Sequence, residues 1–495
     1  MGKSAGQLSA AAEHLLALRL SGSVGARPVP QSGAQADTRI PLSLDQRRLW
    51  FIDQADPGIL AYNVHTAYRL RGELNLGALR SAVSLVLSRH GALRARFVME
   101  RGEPYQLIDA ASADFEVPVR DFSDEPDPIT AVREFAKDRA DRRFSLARGP
   151  LFDSWLARVG EDDHVLGIVI HHIVFDRDSL SIWEAEISAM YAAFREGRPP
   201  DLPPLAAQYG DYVRWQRAEA ESGAGQQLEY WRRRLRGVPA ATELPFDRPR
   251  PKRASYRARS IPVGLPADRG RALREIAKSH RTTVFAVALA ALQGLLFRYI
   301  PASDAVVVGC PVNGRNRPDF EGLIGFFAHS LPIIATRAEC AEGTFSDMTA
   351  QARDTLLAAH DNQAIPFDDL VRMAAPPRDL GHNPLFQIWF DLATQPPGSQ
   401  GLSLPGLTVA EFDTEQLRTR FDLEMHLIEK PSGELSGRLL AATDLFDYST
   451  VQGFARHYEN FLSAVAGKPD IRMRDIPILA ADERDLIVNE WGTSR

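Results

Sequence analysis

Cysteine is almost absent. Cys310 and Cys340 are the only two in 495 residues, too few for a disulfide framework or a thiolate metal site, and a reducing, cytoplasmic setting is expected. Positive charge is not in surplus either. The formal net charge is -6, which leaves no footprint for nucleic acid, and the cluster Arg232 to Arg236 reads as a solvated helix face before it reads as a docking surface. Long apolar runs are missing. The most apolar stretch, Thr282 to Phe297, is too short to span a bilayer, contains Gln293 and runs into Arg298, so a buried helix and no membrane partner are expected. Glu13, His14 and Arg19 interrupt what a secretory leader would keep apolar, and Gly6 stands where a myristoylation signal has Ser or Thr. No P-loop or G-x-G-x-x-G occurs, so no nucleotide site is indicated.

What is present is length and one dense motif. A chain of 495 residues with 44% hydrophobic content exceeds one ordinary domain, so two or more lobes are expected. HHIVFDRDS, His171 to Ser179, stands between the β-branched run Val165 to Ile170 and a segment with helical spacing. The run reads as a strand buried on both faces. Ser181 and Glu184 have the spacing of a capping box, and Ile182, Ile187, Met190 and Phe194 recur at helical intervals after them, so a strand, a tight loop and a helix start are expected. Neighbouring strand residues point to opposite faces, which sends one imidazole into the structure and the other toward the strand's end. The same divergence argues against a shared metal ion on His171, His172 and Asp176.

In chain order, Gln7 to Leu20 reads as an amphipathic helix and Ser21 to Thr38 as a flexible linker. Pro41 to Gln54 reads as the first helix of the body, with Leu44, Arg48 and Phe51 on one spacing and Trp50 too large to leave exposed. A strand at YNVHTAYRLRG and a helix ending at His90-Gly91 follow, then the motif, so the first half alternates as an α/β protein. The domains expected are 1–39 for the N-terminal helix and linker, 40–225 for a first lobe and 226–495 for a second. The boundary is placed at Glu219 to Gln226, which contains Ser222-Gly223-Ala224-Gly225, and Pro239 to Arg253 is a further irregular connector. The second half alternates again, with a helix over Val284 to Phe297 and strands at Ala305 to Cys310 and Phe421 to Ile428. His329, His360 and His382 are expected in loops or at helix ends.

With these residues in view, the chain resembles a condensation domain of non-ribosomal peptide synthetases, in the chloramphenicol-acetyltransferase-like superfamily, from Ile40 to Leu479. Seven blocks carry the resemblance in order: LSLDQRRLWF, RHGALRARF, HHIVFDRDS, QYGDYVRWQ, GLIGFFAHSLPI, HDNQAIPFDDLV and NPLFQIWFDL. TDLFD, Thr443 to Asp447, resembles the family's crossover segment, and NEWGTSR resembles the linker toward an adenylation domain.

The resemblance implies two acetyltransferase-like α/β lobes in a V around a central tunnel. Donor and acceptor substrates would arrive on the phosphopantetheine arms of partner carrier proteins, with no intrinsic cofactor, neighbouring synthetase modules as further partners and a monomeric state. His172, matching the second histidine of HHxxxDGxS, is implied as the catalytic residue, able to take a proton from an attacking amine or hydroxyl. His171, Asp176 and Ser179 are implied as structural, and Arg315 as the arginine of the other lobe that pairs with Asp176, with Arg317 behind it. Three departures stand out. Arg177 occupies the glycine position, Gly91 replaces a glutamate, and FAHS replaces FVNT, which makes Arg177, His329 and Ser330 candidate substrate contacts. For Arg177 the alternatives are a pair with a neighbour such as Asp178 or a place facing a carboxylate-bearing substrate. The product would be an amide or an ester. Two other readings stand beside this one: a catalytically degenerate condensation fold that recruits partners, and an epimerisation domain.

Overall fold

The computed structural model describes residues 39–111, 115–239, 241–340, 343–374, 382–395, 401–414 and 418–485. The helix expected at Gln7 to Leu20, the linker after it and the terminal NEWGTSR lie outside the described residues.

Before the middle of the chain come β1 (Arg39–Pro41), β2 (Asn63–Arg71), β3 (Ala95–Glu100), β4 (Glu103–Ile108), β5 (Val119–Asp121), β6 (Phe152–Gly160) and β7 (Asp163–His171). After it come β8 (Ala258–Leu265), β9 (Ala305–Val312), β10 (His329–Thr336), β11 (Ile388–Thr394), β12 (Thr408–Glu411), β13 (Leu423–Glu429) and β14 (Leu435–Ala442). They form one large sheet in the order β12-β2-β7-β6-β5, a second in the order β10-β9-β11-β13-β14-β8, and a small sheet β1-β4-β3. The helices that matter here are α1 (Leu44–Ala55), α2 (Leu76–Arg89), α3 (Arg177–Arg195), α4 (Tyr209–Arg234), α5 (Val284–Tyr299), α6 (Phe345–Asp361) and α7 (Tyr448–Gly467).

The expected core strand is β7, hydrogen-bonded on both sides to antiparallel neighbours, β2 and β6. Leu166, Ile168 and Ile170 join the core that α2 and α3 close, while Val165 on the other face packs with Phe122, Val132 and Trp155. Gly167 admits the Trp155 ring, because a Cβ there would stand 2.1 Å from it. The second lobe is built around α5, buried on every face between its sheet and α6 and α7. No single helix among the described residues is long and apolar enough to cross a membrane.

Three expectations change. In α1 the buried face is Gln46, Leu49, Trp50 and Asp53, so Trp50 is inside as expected but Phe51 is 48% exposed. Its ring lies under the Arg47 guanidinium, which keeps it on the outside. The boundary stretch 219–226 is not a break, since α4 runs through it from Tyr209 to Arg234. Tyr209 and Tyr212 anchor one end of that helix in a core beside the small sheet, with Ile40 and Ala92, and Trp231 and Leu235 anchor the other in the second lobe, so packing at both ends outweighs the glycines between. Thr443 to Asp447 does not cross between lobes. It fastens the connector Pro239 to Arg253 and its continuation to the second lobe: Asp444 accepts from Ser255 N–H at 2.7 Å, and Arg248 donates to the Thr443 carbonyl at 3.1 Å. The segment that crosses is 401–414, whose strand β12 pairs antiparallel with β2 and whose Leu402, Leu404 and Phe412 lie in first-lobe cores.

Candidate active site

β7 ends at His171, and His172 opens a single 3₁₀ turn, His172–Val174, before α3 begins. α1 is tied to that turn. Ser43 and Gln46 form a capping box, and the Gln46 amide also donates to the Ile173 carbonyl at 3.0 Å.

The two imidazoles diverge. His171 is 3% exposed, its Nδ1 accepts from Ile173 N–H at 3.2 Å, and its ring stands edge-on to Phe144. Burial, with His172 nearby, pushes it down to about 3, so it is a neutral packed ring. His172 is only partly buried. Its Nδ1 lies 2.6 Å from the Phe175 carbonyl and so carries the proton it donates there, which leaves Nε2 as a bare lone pair with no partner among the described residues. Phe326 from the other side stands edge-on to the ring at 4.9 Å. Burial first, then the charge of Arg420, lower this imidazole to about 4 despite the Phe175 bond and Asp176.

Asp176 is the N-cap of α3. This corrects the expected start at Ser181 and Glu184, which lie inside the helix; Glu184 accepts from the Tyr68 hydroxyl instead. Asp176 Oδ1 accepts from Ser179 N–H at 2.9 Å, lies 2.7 Å from Ser179 Oγ and accepts from Arg315 Nη2 at 2.9 Å. Its Oδ2 accepts from Arg315 Nη1 at 2.8 Å and from Phe327 N–H at 3.0 Å. Burial alone would raise this carboxyl, but the Arg315 charge and the bonds from Arg315 and Ser179 hold it below its ordinary value. Among the described residues, no group of three or more His, Cys, Asp or Glu side chains is placed to hold a metal ion.

Arg315 also donates to the Leu323 carbonyl at 3.0 Å and stacks on Phe327 at 4.1 Å. Arg317 turns away to Asp319, at 3.1 Å. Together with Ser179, which accepts from Gly325 N–H at 3.0 Å, and Tyr209, which donates to the Phe326 carbonyl at 2.6 Å, Arg315 grips the loop that presents Phe326 to His172. Gly325 is required by close approach, because a Cβ there would stand 2.2 Å from the Tyr209 ring.

Arg177 does not pair with Asp178. Its guanidinium bonds Asp391 on β11, and Asp178 instead accepts from Asn313 Nδ2 at 2.6 Å. Position 177 has no left-handed backbone, so glycine's conformational freedom is not needed there. His329 opens β10, where its Nδ1 meets Asp45 and its Nε2 lies 3.3 Å from the Tyr212 hydroxyl. Burial pulls that imidazole down, but the charge and hydrogen bond of Asp45 win and raise it. Ser330 is half-buried in β10 opposite Pro311. His360 ends α6 and His382 lies in a loop.

Sequence reasoning missed the opposite wall. On β13, Glu424 and His426 alternate with the core residues Leu423, Met425 and Leu427 and share a face with Asp391 of β11. His426 Nε2 lies 3.0 Å from Glu424 and Nδ1 3.8 Å from Asp391, while Arg420 lies 3.4 Å from Glu424. Burial opposes protonation of His426, but bonds to Asp391 and Glu424 raise it. Arg48 of α1 stacks on Phe367 at 3.7 Å. The alternation of Phe421 to Ile428 was the one available signal.

A model of the Condensation domain family matches residues 36–488. One of the proteins that make up the linear gramicidin synthase of Brevibacillus parabrevis is 36% identical over 488 residues, covering 98% of this chain, while this chain spans only 6% of that protein. Among solved structures, the X-domain in complex with OxyB from teicoplanin biosynthesis superposes with a TM-score of 0.79 at 28% identity, covering 93% of this chain and all of that one. A four-domain nonribosomal peptide synthetase bound to AMP and glycine shares the fold, with a TM-score of 0.80 at 21% identity, over 90% of this chain and 34% of that one.

Proposed function

The chain belongs to the condensation domain family, and from that premise we propose that it joins a donor acyl thioester to an amine or hydroxyl acceptor, each carried on the phosphopantetheine arm of a partner carrier protein. The observation that carries this reading is His172: its Nδ1 proton is fixed on Phe175 at 2.6 Å and its Nε2 is open. A neutral imidazole in that tautomer takes a proton from the acceptor as the acceptor's nitrogen or oxygen attacks the thioester carbon. The new C–N or C–O bond forms, the C–S bond breaks, and the proton held on Nε2 passes to the departing thiolate. A thioester is already activated, so holding the two reactants in line supplies much of the acceleration, and His172 adds proton transfer to it. Asp176, Ser179 and Arg315 act on the chemistry only by holding the turn and the Phe326 loop in place.

The test is intact-mass spectrometry of acceptor carriers in the presence of a loaded donor carrier. A mass gain on the acceptor that needs this protein and is lost in His172→Ala supports the reading. No gain with any loaded pair counts against it, and solvent deuterium appearing at the α-carbon of a loaded residue with no transfer would indicate epimerisation. The likeness to an X-domain captured with OxyB favours one second reading, recruitment of a partner enzyme. That role predicts partner binding that His172→Ala leaves unchanged.

A further inference from the structure

The first turn of α3 reaches across to the second lobe three times in succession. Asp176 bonds Arg315 at 2.8 and 2.9 Å, Arg177 bonds Asp391, and Asp178 accepts from Asn313 at 2.6 Å. The three partners come from one place, because Asn313 and Arg315 follow β9, and β11, which carries Asp391, runs parallel beside β9 with Trp389 opposite Gly309. Both strands therefore deliver their C-terminal ends to the same edge of the sheet. Asp176 and Asp178 both meet the loop after β9, Asp178 through Asn313 and, at 3.7 Å, Arg315. Arg177 alone reaches the sheet itself.

Asp391 does not stop there. It is opposite His426 in the β11–β13 register, His426 is held by Glu424 at 3.0 Å, and Glu424 accepts from Arg420 N–H at 2.6 Å and lies 3.4 Å from the Arg420 guanidinium. The Arg420 charge is the second cause, after burial, of the lowered His172 imidazole. A continuous chain of alternating charge thus leaves the motif at Arg177, crosses the lobes, runs along one face of the second sheet and returns its field to His172. The side chain of Arg177 is 42% exposed and that of Asp391 15%, so the arginine reaches inward to a carboxylate that has little water of its own.

We infer that Arg177 is a positioning residue: through Asp391 it clamps the sheet face bearing His426 and Glu424, and Arg420 in the bend before it, against the His172 turn, and so fixes the gap in which acceptor and donor meet. The inference rests on the condensation reading above. It replaces the expectation of a substrate carboxylate at Arg177 with an internal one. A guanidinium keeps its charge at any working pH and bonds through a rigid planar fork, which suits a fixed spacer better than a lysine would. A displacement of about 1 Å between reacting groups is enough to lower a rate by up to about a hundredfold.

The test uses the full chain with Arg177→Gly, Arg177→Lys and the exchange Arg177→Asp with Asp391→Arg, and has two readouts. With a loaded donor carrier and varied acceptor, Arg177→Gly should lower kcat about tenfold with the acceptor KM within about twofold, Arg177→Lys should recover part of the loss, and the exchange should recover more than either single change. Separately, NMR of ring-labelled histidine follows His426, whose imidazole faces Asp391 and Glu424 and lies opposite Arg438 of β14, with Arg177 and Arg420 one step further on. Arg177→Gly removes a cation and frees Asp391 for the imidazolium, so the His426 midpoint should move up. Wild-type kcat together with an unmoved His426 midpoint overturns the clamp, as does a loss confined to KM. If the wild type forms no product, the condensation reading fails, and the His426 midpoint alone then decides whether the clamp exists.

Discussion

His172 keeps its Nδ1 proton on the Phe175 carbonyl at 2.6 Å, so its tautomer is set before any substrate arrives. General-base removal of this kind costs about 10²–10⁴ in rate, so His172→Ala should reduce condensation by that order while the melting temperature stays put. His171→Ala should do the reverse, because that ring is packed on Phe144 and its loss leaves a cavity and an unpaired Ile173 N–H. Equal small rate losses for both, at unchanged melting temperature, would sink the assignment. The pH profile gives a second check. With His172 held down to about 4, the base is in its working form throughout the neutral range, and the acid limb of kcat should lie near that value instead of near 6.5. Both histidines titrate lower folded than unfolded, so between the two values the unfolded chain binds the extra protons and stability falls as pH drops through that window. An acid limb close to 6.5, measured on protein still folded by circular dichroism, would mean that the working group is a different one. At this scale the motif was legible because the chemistry is local: a strand end, two imidazoles and an aspartate within nine residues, although the capping by that aspartate was not. Asp391, Glu424 and His426 were not, since only the register of β11 against β13 brings them together.

At the scale of an element, α3 is the piece on which the site hangs. Its N-cap is the buried partner of Arg315 and its first turn supplies the contacts to the other lobe. Removing either member of such a pair strands the other, at a cost of about 3–5 kcal/mol. Asp176→Ala and Arg315→Ala should each destabilise by that order in urea titrations, and the double mutant should be less than the sum, with a coupling of roughly 0.5–3 kcal/mol. Strict additivity would show that the two do not depend on each other. Because Asp176 is held below its ordinary value, its contribution is complete above that value and is lost as pH falls through the folded one. The helix start was misread for a physical reason. Ser181 and Glu184 match a capping box by spacing, but the carboxylate of Asp176 already closes the first turn five residues earlier.

For the whole molecule, the expected α/β fold of two chloramphenicol-acetyltransferase-like lobes holds, and what changes is how the chain is shared between them. Gly and Ser in 219–226 suggested a break, yet long-range packing of Trp231 and Tyr212 keeps α4 continuous. No local signal marks 408–411 as belonging to the first sheet, because its partner β2 lies more than three hundred residues earlier. Phe412 puts that sharing to the test. It packs with Ala67, Phe122, Val132 and Trp155, so Phe412→Ala should cost about 3–5 kcal/mol and should speed hydrogen exchange in β2 and β6 more than in β13 or β14. The opposite pattern would mean that the segment stabilises only its own half.

The loan of β12 to the first sheet also bears on how this chain emerges from a ribosome. Until residue 411 has been made, β2 is an unpaired edge of a sheet whose other strands were finished at His171, and such edges invite pairing with the wrong chain. The 240 residues between (411 minus 171) take roughly 12–48 s at ordinary elongation rates of about 5–20 residues per second. Throughout that interval the half carrying the histidines has its strands but not its last seam, so the nascent first lobe must either wait unclosed or lean on a chaperone, and it is sealed only when most of the second lobe is already outside.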